Sequence, residues 1–252
     1  MTSTPATRHG LSGRADAGAF LARLVRIDPA APVRLRPLPR TGGPAGPATA
    51  VWARLPWEVL VTRAVAGAGP IDSTGNSLDA TVGANDLLTT LTTDSDDLPS
   101  RRDADWRWSL PPASALSVDT IPARVLADTA RAAATVMRES RERIDAGDRV
   151  IREALLDHIA IVVESDNSRA TGIEPVRVAQ RMIQAVVRMG FLGDLANDPE
   201  APVDVRVAGP WVELAAPYGS AWLRQSGGFT LNTHIVHTFG QPAITPPVRQ
   251  LT

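Results

Sequence analysis

A β-hairpin is the clearest element of the sequence, in the stretch VDVRVAGPWVELAA (203–216). From Val203 to Val207, valines alternate with polar residues, as in a strand that buries one face. Gly209-Pro210 is typical of a turn, and the apolar run from Trp211 to Ala216 predicts the returning strand. We therefore expect antiparallel sheet near the end of the second half of the chain.

The residues before this hairpin predict helices. Thr120 is a candidate cap for a helix over 121–146 that places Pro122 in its first turn. Further helices are predicted over 150–158 and 174–189, while the apolar run 159–163 fits either a helix or a strand. Three helices followed by a hairpin is the element order of a winged helix.

The first half predicts mainly strands. A helix over 15–27 precedes strand patterns at 32–38, 49–54, 57–65 and 79–82, and a short helix follows at 84–91. The predicted fold class is α+β, with a small N-terminal antiparallel sheet and then a helical region closed by a β-hairpin. We see no internal repeat of 20–50 residues.

These patterns divide the chain into five predicted regions. They are a mobile tail (1–14), an antiparallel-sheet region (15–91), an acidic linker (92–118), a helical region with the C-terminal hairpin (119–223) and a polar tail (224–252). The two structured regions are also compatible with one shared core, because 252 residues is close to the ~250–300 at which single cores stop growing.

The composition excludes several classes of chemistry. The chain contains no lysine, which excludes Schiff-base catalysis and the lysine of a phosphate-binding P-loop. It also contains no cysteine, which excludes thiol catalysis, disulfides and cysteine-ligated metal sites. We predict no cofactor and no structural metal.

The sequence also bears on location. It has no apolar run of the ~18 residues that predict a membrane span, and arginines interrupt the first apolar segment, which is unlike a signal peptide. We expect a cytoplasmic protein that does not bind membranes.

Charge is unevenly distributed along the first half. Residues 1–70 contain nine arginines and three acidic residues, whereas residues 71–120 contain three arginines and nine aspartates. One interpretation is that the two segments pack together in one fold. The alternative is a basic surface for an acidic partner.

The best candidate site is a polar strip on the predicted helix 174–189. At 100° per residue, its members fall within a strip about 60° wide. They are Arg177, Arg181, Gln184 and Arg188. Guanidinium groups suit carboxylates and phosphates, so the strip predicts an acidic protein partner or an anionic small molecule. Pairing with the protein's own acids is the simpler alternative.

Arginine and glutamine on a third helix could also read DNA bases. However, residues 121–216 contain more acidic residues than arginines, whereas DNA-binding domains present a positive surface. Nucleic acid is therefore the less favoured partner.

Asp157-His158 is the one adjacent acid–base pair, and it supports an alternative as a hydrolase or lyase in which either residue is the base. Neighbours on a helix point ~100° apart, which opposes a catalytic hydrogen bond between them. His234 and His237 have the spacing of metal ligands on a helix, but the surrounding residues favour a strand.

Two further groups of residues have simple structural interpretations. The acidic run Asp94, Asp96, Asp97 and Asp105 approaches the spacing of a calcium loop, yet Pro99 occupies the position that requires glycine. The six tryptophans suit sheet faces and core, although Tyr218 to Trp222 could form a binding rim. Trp106 and Trp108 are predicted on one face of a strand.

The predicted function is a non-enzymatic interaction or regulatory protein that binds an acidic partner or anionic ligand. The alternatives are the hydrolase or lyase and the winged-helix DNA-binding regulator. The sequence does not define an oligomeric state.

Overall fold

A computed structural model describes residues 7–39, 46–72, 74–143, 148–164 and 175–225, and for 141–143 and 148–152 it describes the backbone only. The described helices are α1 (Arg14–Ile27), α2 (Ala84–Thr92), α3 (Ala123–Arg143), α4 (Asp148–Asp157) and α5 (Gln180–Arg188). The described strands are β1 (Pro32–Pro37), β2 (Ala48–Arg54), β3 (Leu60–Ala66), β4 (Ala80–Gly83), β5 (Leu116–Pro122), β6 (Ile159–Val163), β7 (Val176–Ala179), β8 (Pro202–Ala208), β9 (Trp211–Ala216) and β10 (Gly219–Arg224).

One antiparallel sheet of eight strands joins the two halves of the chain. Its order is β4-β1-β2-β3-β10-β9-β8-β5, and β6 pairs with β7 in a separate two-stranded sheet. The predicted α+β class is therefore confirmed. The hairpin β8–β9 is confirmed as well, but it lies inside the sheet, with β8 paired to β5 and β9 to β10. In a winged helix the hairpin follows the helices as a separate wing. Here both of its strands have neighbours on either side in the large sheet, which does not support the winged-helix alternative.

The sheet has a pseudo-two-fold symmetry that relates β1, β2, β3 and β4 to β8, β9, β10 and β5. The registers correspond, because Val33 pairs with Val82 and Val203 pairs with Ile121 in the same way. The sequence repeats there too, as DPAAPV (28–33) and DPEAPV (198–203). The expectation of no repeat was limited to periods of 20–50 residues and missed this longer one.

The same symmetry fixes how a helix leaves each outer strand. In the first half the Ala84 N–H donates to the Ala31 carbonyl over 3.0 Å, and in the second half Ala123 donates to Ala201 over 2.9 Å. Both donors are the first residues of helices, where a backbone N–H lacks an intrahelical acceptor. The Thr62–Ser220 pair of β3 and β10 lies at the centre, where the two halves join.

The helix-covered face of the sheet forms the main core. A row of fully buried small and aliphatic side chains crosses all but one of the eight strands, and α1, α2, α3 and α5 contribute to the same cluster. The members of this row are Val82, Val33, Ala53, Val61, Ala221, Leu214 and Val205. Because both halves contribute to it, they share one core.

The opposite face of the sheet contains a tryptophan cluster. Leu60 and Trp222 lie on this face, and residues 106–115, which we call the crossing segment, cover them. The crossing segment has no regular secondary structure, so the strand predicted for Trp106 and Trp108 is wrong. The Trp106 indole instead donates to the Trp108 carbonyl over 2.8 Å, and the two rings meet edge to face.

Several predicted elements of the second half need correction. The helix expected at 121–146 begins at Ala123, because Thr120, Ile121 and Pro122 belong to β5. The helix expected at 174–189 is a strand, β7, followed by the short helix α5. β-branched Val176 and Val178 are buried while Arg177 is exposed, and this two-residue alternation pairs with β6.

Other predictions agree closely or lie outside the described residues. The first-half elements match within three residues, and 159–163 is a strand. Strand β10 was not predicted. The HxxH pair His234 and His237, the remainder of the polar tail and the end of the helix expected at 121–146 lie outside the described residues. No helix in the described part of the chain has the length and apolarity needed to cross a bilayer.

Candidate anion-binding groove

The predicted arginine strip is divided between two elements. Arg177 is exposed on β7, whereas Arg181, Gln184 and Arg188 lie on α5. The helical geometry that aligned all four residues therefore applies only to the last three. Their environments also differ, so the strip does not form one surface.

Arg181 is engaged within the protein. Its guanidinium forms an ion pair with Asp157 and donates to the Trp57 carbonyl over 3.1 Å. The Trp57 indole donates in return to the Arg181 carbonyl, also over 3.1 Å. The side chain of Arg181 is only 18% exposed. Arg181 therefore connects the β2–β3 hairpin to α5 and α4. Because its guanidinium is engaged in these contacts, it is not a candidate for binding a partner.

The same contact bears on the proposed acid–base pair. The Asp157 carboxylate forms an ion pair with Arg181. His158 follows the end of α4, and its carbonyl accepts a hydrogen bond of 2.8 Å from the Gln180 N–H at the start of α5. No observation on these two residues favours the hydrolase or lyase.

Arg188 borders an open groove of about 450 Å³. The other lining residues are Arg23, Arg26 and Ile27, which belong to the end of α1. The guanidinium carbon of Arg188 lies 5.4 Å from the centre of the Trp57 ring, a distance suited to a cation–π contact. Trp57 thus restricts the position of Arg188 without neutralising its charge. The groove forms where the C-terminal ends of α1 and α5 meet.

Arg23 and Arg26 are anchored on their own helix. Arg26 donates through Nε to the Ala22 carbonyl over 3.1 Å, and Arg23 makes a longer contact of 3.4 Å with the Ala19 carbonyl. Cations near a helix C-terminus are stabilised by the helix dipole. Both guanidiniums keep further N–H groups that can donate to a ligand.

Gly190, which follows α5, leaves room for the Arg23 side chain of α1. Gly190 has a φ of +66°, and a Cβ atom there would lie 2.7 Å from Arg23 Nε. A side chain at this position would therefore displace the guanidinium. Phe20 of α1 and Phe191, just beyond α5, stack below at a centroid distance of 6.2 Å and an interplanar angle of 11°.

Most of the other described arginines in the first half of the chain form ion pairs, unlike Arg23, Arg26 and Arg188. Arg14 pairs with Asp96 at 2.5 Å, Arg34 with Asp79 at 2.7 Å and Arg63 with Asp16 at 2.7 Å. The first two pairs join the basic and acidic segments, so the interpretation that these segments pack together is confirmed. Within the described ranges, none of the three groove arginines forms an ion pair with a carboxylate.

Sequence reasoning identified Arg188 but missed Arg23 and Arg26. A signal was present, because both arginines lie on the outer side of a predicted helix whose Phe20, Leu21 and Leu24 point inward. What the sequence could not indicate is that α1 and α5, about 160 residues apart in the chain, end beside each other.

The described residues do not support a metal site. Among them, no group of three or more histidine and acidic side chains is arranged to hold an ion. In the run that resembles a calcium loop, Asp94 and Asp96 pair with Arg14, and Asp105 pairs with Arg102. These carboxylates therefore serve as internal ion-pair partners.

A buried carboxyl, that of Glu213, lies on the face of the sheet that carries the tryptophan cluster. Glu213 of β9 is 5% exposed, and the guanidinium of Arg206 lies 3.9 Å from its carboxylate. Burial raises the pKa of the Glu213 carboxyl, although a hydrogen bond with Ser220 and the charge of Arg206 act in the opposite direction. Ionisation of Glu213 is therefore less favourable in the folded protein than in water.

Replacement of Glu213 by glutamine tests this carboxyl. A raised pKa contributes stability below the ordinary glutamate range, near pH ~4, and that contribution is lost as the pH rises through the raised value. Glu213→Gln, which stays neutral, should melt a few degrees above the parent protein at pH 8 and at the same temperature near pH 4. Thermal melts at pH 4, 6 and 8 measure the difference. A constant offset at all three pH values would contradict the assignment.

Comparison with protein-family models divides the chain at the crossing segment. Residues 4–109 match a domain of unknown function (DUF8010), and residues 110–228 match a second domain of unknown function (DUF8185). The boundary between the two matches lies between the two pseudo-symmetric halves of the sheet. A search of curated proteins gave no match.

Proposed function

We propose that this protein is a non-enzymatic interaction or regulatory protein that binds an acidic partner or an anionic ligand. The binding site is the groove between the ends of α1 and α5, and its contact residues are Arg23, Arg26 and Arg188. The observation that carries the proposal is the convergence on one open groove of three guanidiniums that form no ion pair with any carboxylate in the described part of the chain.

The energetics favour an external anion over an empty groove. Like charges at close range repel one another, and this cost is tolerated because each arginine lies in the last turns of a helix. An anion would relieve the repulsion and receive forked N–H donors from more than one side. Placement on two helices with a shared core beneath them keeps the donors in position before binding.

Arg188→Glu tests the site by charge reversal. The variant should lose the rise in melting temperature that an anion causes in the parent protein, because a ligand that binds only the folded state stabilises it by mass action. The measurement is a thermal-shift series with sodium phosphate and with a polyglutamate peptide, against sodium chloride at matched ionic strength.

Arg177→Glu is the matched control, since Arg177 is exposed on β7 outside the groove lining. The control should respond to anions as the parent protein does. Equal loss of the response in both variants would indicate a general charge effect and would overturn the proposed site. The absence of any anion response in the parent protein would overturn the proposed function.

A further inference from the structure

The anion chemistry of the groove can be specified further, on the basis of the proposed function. We infer that the groove takes a phosphate monoester, recognised as a dianion by Arg23, Arg26 and Arg188. The local charge, the hydrogen-bond donors and the shape of the groove all favour this ligand.

The local charge matches a dianion. Three guanidiniums supply three positive charges, and each helix C-terminus contributes about half a negative charge. The three guanidiniums and the two helix ends therefore sum to about +2. A single carboxylate would leave about one positive charge uncompensated, whereas a phosphate monoester at neutral pH carries −1.5 to −2.

The donor arrangement also favours a phosphoryl group. Arg26 uses Nε on its own helix and so has its two terminal amino groups left for a ligand. Arg188 has one face against Trp57, which leaves the edge of its guanidinium for in-plane hydrogen bonds. Three terminal phosphate oxygens can accept from several forks at once, while a carboxylate has only two oxygens.

The groove is open, and three of its four lining residues are arginines. Ile27 is its one apolar lining residue in the described structure, and the volume of about 450 Å³ exceeds what a phosphoryl group needs. A ligand would therefore bind through its phosphoryl group, while its organic part extends toward solvent. This geometry suits a phosphorylated side chain or a small phosphorylated metabolite, which share the same recognised group.

The pH dependence of binding distinguishes phosphate from other anions. The second pKa of a phosphate monoester is near 6, so the dianion population falls roughly fourfold between pH 7.5 and pH 5.5. Sulfate stays a dianion across this range, and so, very largely, does tartrate, because its two carboxyl groups both ionise well below pH ~5.5. Among the described residues, three arginines and an isoleucine line the groove, with no carboxyl or imidazole group beside them.

The experiment is an isothermal titration of the full chain at pH 7.5 and pH 5.5 with phosphoserine, glucose 6-phosphate, sulfate and tartrate. We expect both phosphate monoesters to bind at pH 7.5 and to lose about fourfold in affinity at pH 5.5. Sulfate should keep its affinity. Arg23→Gln should weaken phosphate binding, and the exposed Arg36→Gln on β1 should not.

The outcomes of this titration distinguish failure of the phosphate assignment from failure of the proposed function. Tartrate binding as tightly as the phosphate monoesters, with no change between the two pH values, would overturn the phosphate assignment and leave the anion site in place. No binding of any anion at either pH would overturn both. A preference for phosphoserine over glucose 6-phosphate, or the reverse, would identify the source of the phosphoryl group.

Discussion

Phe191→Ala is expected to lower the melting temperature by roughly 6–20 °C, because removal of a fully buried phenylalanine costs about 3–5 kcal/mol in a chain of this size. Phe191 follows α5 and stacks on Phe20 of α1, so the substitution opens a cavity where the two pseudo-symmetric halves meet. Denaturant and thermal unfolding give the free energy of the change.

A double-mutant cycle with Phe20→Ala separates stacking from simple burial. We expect a coupling energy of about 0.5–1.5 kcal/mol between the two rings. Leu116→Ala is the control, since Leu116 is 69% exposed and its removal should change stability by less than about 0.5 kcal/mol. If Phe191→Ala were as mild as the control, the helices would not be joined as described.

Gly190→Ala is expected to affect both stability and binding. A non-glycine residue at φ +66° costs about 1–3 kcal/mol, and the added Cβ would collide with the Arg23 guanidinium. The displaced arginine could then no longer contribute to the groove. We expect a lower melting temperature together with weaker phosphate binding at pH 7.5.

Gly209→Ala is a matched control for the backbone effect. Gly209 has a φ of +55°, and a Cβ there would have no atom within 4 Å. The two variants should therefore share the conformational cost, and only Gly190→Ala should reduce phosphate affinity. Equal affinities in the two variants would mean that Arg23 does not act through its contact with Gly190.

The sequence was most informative where one local pattern decided the element. The alternation Val203 to Val207, the Gly209 turn and the first-half strands were predicted within a few residues. Prediction failed where two patterns overlapped. Val176-Arg177-Val178 fits a strand and also the start of a helix, and pairing with β6 decided in favour of the strand. The edge strand β5 likewise extended into the predicted start of α3.

The candidate site could be predicted only in part. Arg188 was identified from helical spacing, but the internal role of Arg181 depends on Trp57 and Asp157, which are distant in sequence. Arg23 and Arg26 became candidates only once the fold brought α1 to α5. Contacts between distant segments follow from packing of the whole core, which local spacing does not encode.

Our proposal is that three arginines at the junction of α1 and α5, which pair with no carboxylate among the described residues, form an anion site. Calorimetric titration of phosphoserine into the double variant Arg23→Gln/Arg188→Gln tests this claim most directly, with Arg36→Gln/Arg177→Gln as the charge-matched control. We predict that the first double variant binds at least about tenfold more weakly than the parent protein, as the loss of charged hydrogen bonds requires. The control should bind like the parent. Unchanged affinity in Arg23→Gln/Arg188→Gln would contradict the claim.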